Sequence, residues 1–134
     1  MSVVARIGLG VAFAAISTMA VASDDQPVFS SGRGFDQRSG EAIYRAICQG
    51  CHMPDGRGAT GAAAYPALAG NPRIASAPYV LITVLNGRRN MPSFARGLDD
   101  AQVAAVAGFV RTRLGNAYPE PVTPDQVAAL RNLK

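Results

Sequence analysis

Between Met53 and Pro78 the chain sets Pro54, Gly56, Gly58, Gly61, Pro66, Gly70, Pro72 and Pro78 within 26 residues. Proline removes a backbone donor and glycine favours bends, so neither a long helix nor a central strand survives that spacing. A structureless segment of this length is uncommon in a small domain unless it is functional or wraps around something. The whole chain has 134 residues, enough for one core and not for two. Its 14 Gly and 9 Pro exclude a plain helix bundle. Something other than the loop itself must fill the loop's interior.

The flanking segments are periodic. After Asp36, a candidate N-cap, Gly40, Ile43, Tyr44, Ile47 and Cys48 recur at helical spacing and predict a first helix that runs straight into the two cysteines. Pro78 suits the first turn of a second helix, apolar from Tyr79 to Leu85 and closed by Asn86-Gly87. Asp99 with Gln102 forms a capping box, followed by Val103, Val106, Ala107, Val110 and Leu114 before Gly115. Thr123, Pro124 and Gln126 repeat that signature ahead of a short last helix, Val127 to Leu130. No strand alternation or internal repeat is present.

The start of the chain has the pattern of an export signal: Arg6, an apolar run from Ile7 to Ile16, and Ala20-Val21-Ala22. A retained membrane anchor is the alternative, but Ile7–Ala22 is 16 residues and includes Ser17 and Thr18, short of the ~20 apolar residues of a span. The expected division is a signal peptide at 1–22, cleaved near Ala22, a flexible leader at 23–35, a domain at 36–115 and a C-terminal extension with a short helix at 116–134. The expected location is the periplasm, with no membrane span after cleavage. The 13 basic residues exceed the 9 acidic ones by four, and all but Lys134 are Arg. They are scattered among Asp residues without aromatic platforms, which speaks against nucleic acid as a partner.

Two cysteines and the chain's single histidine fall within five residues, Cys48-Gln49-Gly50-Cys51-His52. This C-x-x-C-H spacing is that of covalent haem c attachment. On a helix the two thiols share a face and can add to two vinyl groups, while the adjacent imidazole reaches the iron. A structural disulfide, a zinc site and a redox dithiol are the alternatives. Zinc wants four protein ligands where three soft ones occur, and a redox pair would follow a strand in a βαβ pattern.

A second axial ligand follows by elimination. Met1 and Met19 leave with the signal, Met53 adjoins His52 on the wrong side of the ring, and Met91 remains, in an inter-helix loop 39 residues further on. Methionine often merely fills core gaps, and an open five-coordinate iron is a second alternative. Lys134 could compete only from the terminus.

From about Gly40 to Gly115 the chain resembles the bacterial single-haem class I cytochromes c. Gly40 and Tyr44 are similar to the Gly and aromatic of that family's first helix, which crosses a later helix near its own aromatic, here Phe109. Tyr65-Pro66-Ala67-Leu68-Ala69-Gly70 resembles the loop whose Pro carbonyl accepts a hydrogen bond from the proximal His. Asn86-Gly87 with Met91-Pro92 is similar to the distal-Met segment. The resemblance implies an all-α, class I cytochrome c fold, three to five helices and long loops wrapped around one covalent haem. It also implies that Pro66 orients His52.

The segment from Gly115 to Arg131 is similar to cytochrome subunits that accept electrons from periplasmic dehydrogenases of flavin, quinoprotein or molybdenum type. The implied function is a one-electron carrier, not an enzyme, with a dehydrogenase as donor and a downstream cytochrome or oxidase as acceptor. A haem enzyme or gas-binding haem protein with an open distal site, and a non-haem secreted binding module, are the competing readings. Arg57, Arg73, Arg88 and Arg89 are candidates to pair with haem propionates, against the commoner role of solvated surface residues. The terminal helix, with Val127 and Leu130 expected to be exposed, would either pack back on the haem domain or hold a dehydrogenase subunit.

Overall fold

The computed structural model describes residues 34–61 and 63–133. The expected signal peptide, nearly all of the leader and Lys134 lie outside them. The first helical rod begins at Gly40, not beyond Asp36. Its cap is Ser39, whose hydroxyl accepts from the Ala42 N–H. The reason lies in the preceding segment: the Gln102 side-chain amide donates to the carbonyls of Phe35 at 2.6 Å and Gln37 at 2.8 Å. Those carbonyls are committed to the Gln102 side chain and do not join a helix.

The rod comprises α1 (Gly40–Ile43), a π turn (Tyr44–Cys48) and α2 (Gln49–His52). It stops at Met53, whose φ of 63° no helix accommodates. A 3₁₀ turn (Pro72–Ala75) interrupts the long loop and is capped by Asn71. Helix α3 (Ala77–Asn86) starts on a Ser76 cap with Pro78 in its first turn and ends at Gly87. Helix α4 (Asp100–Thr112) carries the reciprocal Asp99–Gln102 box. Helix α5 (Pro124–Arg131) begins three residues before the expected Val127, because Thr123 is the cap and Pro124 fits the first helical position. Among the described residues there is no strand; two isolated bridges, Ala59 with Tyr65 and Arg88 with Met91, pin the loops. The architecture is all-α and matches the class I cytochrome c expectation.

Helix α1 crosses α4 where Gly40 meets Ala105 and Phe109. A Cβ built on Gly40 would stand 2.7 Å from both the Ala105 carbonyl carbon and Phe109 Cβ, so the approach depends on glycine. One turn on, the Tyr44 ring lies 5.4 Å from that of Phe109, tilted by 41°. Ile43, Val103, Val106 and Ala107 are buried around this crossing, each large aliphatic side chain contributing about 1.5–3 kcal/mol relative to exposure.

The C-terminal segment corrects one expectation. Val127 is 0% exposed and sits in the same core, with Leu130 packed against it. A helix this short is unstable alone, and here its apolar face is covered by α3 and α4. Arg131 fastens its end, donating to Asp100 at 2.8 Å, to the Leu98 carbonyl at 3.1 Å and to the Ala95 carbonyl. Arg111, 2% exposed, donates to the carbonyls of Ile74 and Ala75 and to the carboxylate of Glu120 at 2.8 Å. It thereby ties the 3₁₀ turn and the segment before α5 to α4.

Candidate haem site

The rod, the long loop, α3, α4 and the loop after α3 enclose a cavity of about 1080 Å³. Small-molecule sites usually measure about 300–1,000 Å³, so this one has room for a large ligand. Ile47, Leu68, Ile74, Val80, Val84 and Val106 supply apolar walls. Every residue singled out from the sequence as a site residue, Cys48, Cys51, His52, Pro66 and Met91, lines this one cavity.

Both cysteines are free thiols, Cys48 half-buried and Cys51 exposed. Burial, followed by the neighbouring Cys51, pushes the Cys48 thiol up to about 12. A disulfide-exchange pair needs the opposite, a thiol shifted toward the thiolate. The arrangement fits a pair consumed in thioether bonds, in which each sulfur adds to one vinyl carbon and its proton goes to the other.

His52 is buried at the end of α2, with Nδ1 3.0 Å from the Pro66 carbonyl. A carbonyl has no hydrogen to give, so Nδ1 carries the proton and donates. In the neutral imidazole this bond leaves Nε2 with its lone pair free, the form in which imidazole binds a metal. Gly58 makes this bond geometrically possible. Its φ is +69°, and a Cβ there would lie 2.8 Å from the Pro66 carbonyl carbon. Its N–H donates to the His52 carbonyl at 3.0 Å, so the turn after His52 folds back onto the Pro66 segment.

Met91 approaches from the other loop. The N–H and carbonyl of Arg88 and Met91 bond reciprocally at 3.0 Å, closing a tight turn in which Arg89 has φ 52°. Gly87 (φ +71°) lets the chain double back, a Cβ there falling 2.8 Å from Ser93 N. Arg57, Arg73, Arg88 and Arg89 are exposed and also line the cavity. Arg57 lies 3.5 Å from the Asp55 carboxylate, and Arg88 stacks 5.8 Å over the Tyr79 ring.

Two contributors were not read as site residues from the sequence. The Tyr44 hydroxyl, beyond its family-like ring packing, donates to the Met53 carbonyl at 2.7 Å and fixes the chain just after His52. Burial, then Cys48 and Asp55, push its pKa up to about 12, so it stays a donor. Asn116 is buried against the Pro66 loop. Its signal in sequence was only a polar residue after a helix-ending glycine. Among the described residues no helix is long and apolar enough to cross a membrane.

The site's chemistry agrees with what the chain is similar to. Residues 35–110 match the family model described as cytochrome C oxidase, cbb3-type, subunit III. The gluconate 2-dehydrogenase cytochrome c subunit of Pantoea cypripedii is 35% identical over 120 residues, covering 81% of this chain and 27% of that protein. The fructose dehydrogenase cytochrome subunit of Gluconobacter japonicus is 36% identical over 107 residues, covering 69% of this chain and 22% of its own length. Cytochrome c-552 of Thermus thermophilus is 32% identical over 124 residues, with 77% of this chain and 81% of that protein covered. The chain thus spans about a quarter of the dehydrogenase subunits it matches and most of the single cytochrome. Thiol pair, buried imidazole and apolar cavity fit one prosthetic group, and the chain belongs to the cytochrome c family, whose members hold haem c covalently.

Proposed function

We propose that this protein is a periplasmic one-electron carrier whose haem is ligated by His52 and Met91, taking electrons from a dehydrogenase and passing them toward the respiratory chain. The observation that carries the reading is the convergence of an imidazole of fixed tautomer and a methionine thioether on one cavity beside both thiols. When bound, the haem supplies a couple between ferrous and ferric iron. The residues do the rest. Cys48 and Cys51 tether it, and His52, held by Pro66, gives a basic imidazole nitrogen. Met91 would hold the iron as a second ligand, a thioether that would raise the potential and favour electron transfer over substrate binding. No proton moves and no nucleophile is needed. Arg57, Arg73, Arg88 and Arg89 line the cavity, which supports them as candidates to offset propionate charge against the commoner solvated role.

Domain 36–115 holds the haem in this reading, 1–22 exports it, 23–35 is a leader, and 116–134 completes the core. Two of the relatives named above carry dehydrogenase in their names, which supports a dehydrogenase as donor, and we propose one of flavin, quinoprotein or molybdenum type. Carbon monoxide tests the ligand set. The reduced wild-type protein should leave its spectrum unchanged under the gas, whereas Met91→Ala should bind it and show a lower reduction potential. Carbon monoxide binding by the wild type would replace the carrier with a haem enzyme or gas-binding protein. Mixing the oxidised protein with candidate dehydrogenases and their substrates, and following haem reduction, then identifies the donor.

A further inference from the structure

We propose that Asn116 is a positioning residue for the His52 imidazole, acting through the loop that carries the Pro66 carbonyl. The inference rests on His52 being the axial ligand. Asn116 does not line the cavity, yet it is 7% exposed and its amide is fully engaged. Its Nδ2 donates to the Leu68 carbonyl and to the Val110 carbonyl, both at 2.9 Å, and its Oδ1 accepts from the Gly70 N–H at 3.0 Å. Turning the amide over would face an oxygen toward two carbonyls and an NH₂ toward an N–H, so the side chain has one workable orientation.

The three bonds have a particular geometry. Two of them grip the ends of Leu68–Gly70, which begins two residues after Pro66, and the third fixes the amide to the last turn of α4. Further along, Arg111 holds the Ile74 and Ala75 carbonyls to α4, but near Pro66 the other ties run to the His52 turn or within the loop itself: the Leu68 and Ala69 N–H groups donate to the Gly56 carbonyl at 2.7 and 2.9 Å, Ala59 pairs with Tyr65, and Asn71 donates to the Ala67 carbonyl at 2.9 Å. Those bonds move with the loop and the turn together. Asn116 references the loop to α4, the helix that walls the cavity through Val106, Ala107 and Val110. The backbone around Asn116 is committed to this placement, with Leu114 at φ 56° and Gly115 at φ 77°. A loop released from α4 lets the Pro66 carbonyl drift from Nδ1, which makes the imidazole a weaker donor to iron and favours the reduced state.

His52 is the only histidine, so its ring proton is a single, unambiguous signal in ¹⁵N-histidine-labelled ferrous holoprotein. In Asn116→Ala the Nδ1–H should exchange with solvent roughly tenfold faster, the size expected when one or two hydrogen bonds are lost, and the reduction potential should shift upward. Asn116→Ser, which spares more of the fold, should give the same changes at smaller amplitude. Arg131→Ala is the control for proton exchange: it lowers the melting temperature by freeing α5 and the Ala95–Leu98 segment but touches neither the Pro66 loop nor His52. If both Asn116 variants melt lower yet keep wild-type exchange, as Arg131→Ala should, and wild-type potential, the residue only stabilises the fold and the proposal is overturned. The wild-type spectrum judges the ligand reading separately. Ring signals without the shifts of an iron-bound imidazole refute that reading, while the exchange ratio still decides the role of Asn116.

Discussion

The same substitution, glycine to alanine, should have opposite effects at two places in α1 and α4. At Gly40 the added Cβ would stand 2.7 Å from Phe109 Cβ and from the Ala105 carbonyl carbon. Carbon contacts are favourable at about 3.5–4.0 Å, so the helices must part by roughly 1 Å. Overpacking of that kind costs about 1–3 kcal/mol, and the propensity gained in a first helical turn offsets only part of it. At Gly108, inside α4, a Cβ meets nothing within 4 Å. Alanine there should gain about 1 kcal/mol of helix propensity. The two variants should therefore differ by more than about 1 kcal/mol, which for a domain of this size is more than about 4 °C in melting temperature. Circular dichroism melts of the ferric holoproteins in one buffer decide it. Gly40→Ala should melt below wild type and Gly108→Ala above. Equal melting temperatures, or the reverse order, would refute the claim that a close glycine crossing holds the haem-bearing rod against α4.

Three other outcomes follow from geometry already described. Acidified organic solvent should leave the colour on the polypeptide, and Cys48→Ala with Cys51→Ala should release it; freely extracted haem from the wild type would contradict covalent attachment. Arg89→Gly should raise the melting temperature by the equivalent of roughly 1 kcal/mol, because φ 52° is costly for arginine and free for glycine; a lower melting temperature would mean that the arginine side chain matters more than the turn. The Asp99 carboxyl is held below the usual carboxylate range, first by the Gln102 backbone N–H and, against some opposing burial, by Arg38. Its folded pKa is thus depressed, and its contribution is complete above the unfolded value of about 3.9 and lost as pH falls through the folded one. Asp99→Ala should accordingly cost about 1 kcal/mol at pH 7, a gap from wild type that narrows only below about pH 4 in urea unfolding. A gap that closed between pH 8 and pH 5 would point to another group.

The parts legible in the sequence are those whose partners lie a few residues away. Thr123 and Gln126 cap each other across one turn, as do Asp99 and Gln102, and their spacing alone announces a helix start. Cys48, Cys51 and His52 share a single turn by the same logic. The long loop's wrapping was legible from what it forbids. Long-range polar contacts were not. Arg111 reaches carbonyls 36 and 37 residues away, and Asn116 reaches 46 and 48 residues back; nothing in composition or period distinguishes either from a surface residue. The helix-start error at Asp36 has the same origin, since the competing Gln102 amide lies 65 residues or more from Phe35 and Gln37. At the terminal helix the sequence left packing back and outward docking equally open, and only the expected exposure of Val127 and Leu130 is corrected. Val127 and Leu130 form an apolar face too small to stand alone, and only the tertiary structure shows that α3 and α4 cover it.

The π turn at Tyr44–Cys48 sets the direction of everything after it. There the Gln49 N–H donates to the Tyr44 carbonyl, five residues back instead of four, so the rod carries one residue more than a regular helix would need. Each helical residue advances about 100° around the axis. Removing a single residue between Tyr44 and Cys48 would restore an unbroken ladder, and with it a better isolated helix. It would also swing Cys51 and His52 by roughly that angle while Ile43 and Tyr44 stayed locked on α4. The chain accepts an irregular helix in exchange for aim, and insertions or deletions there should be far less tolerable than most substitutions.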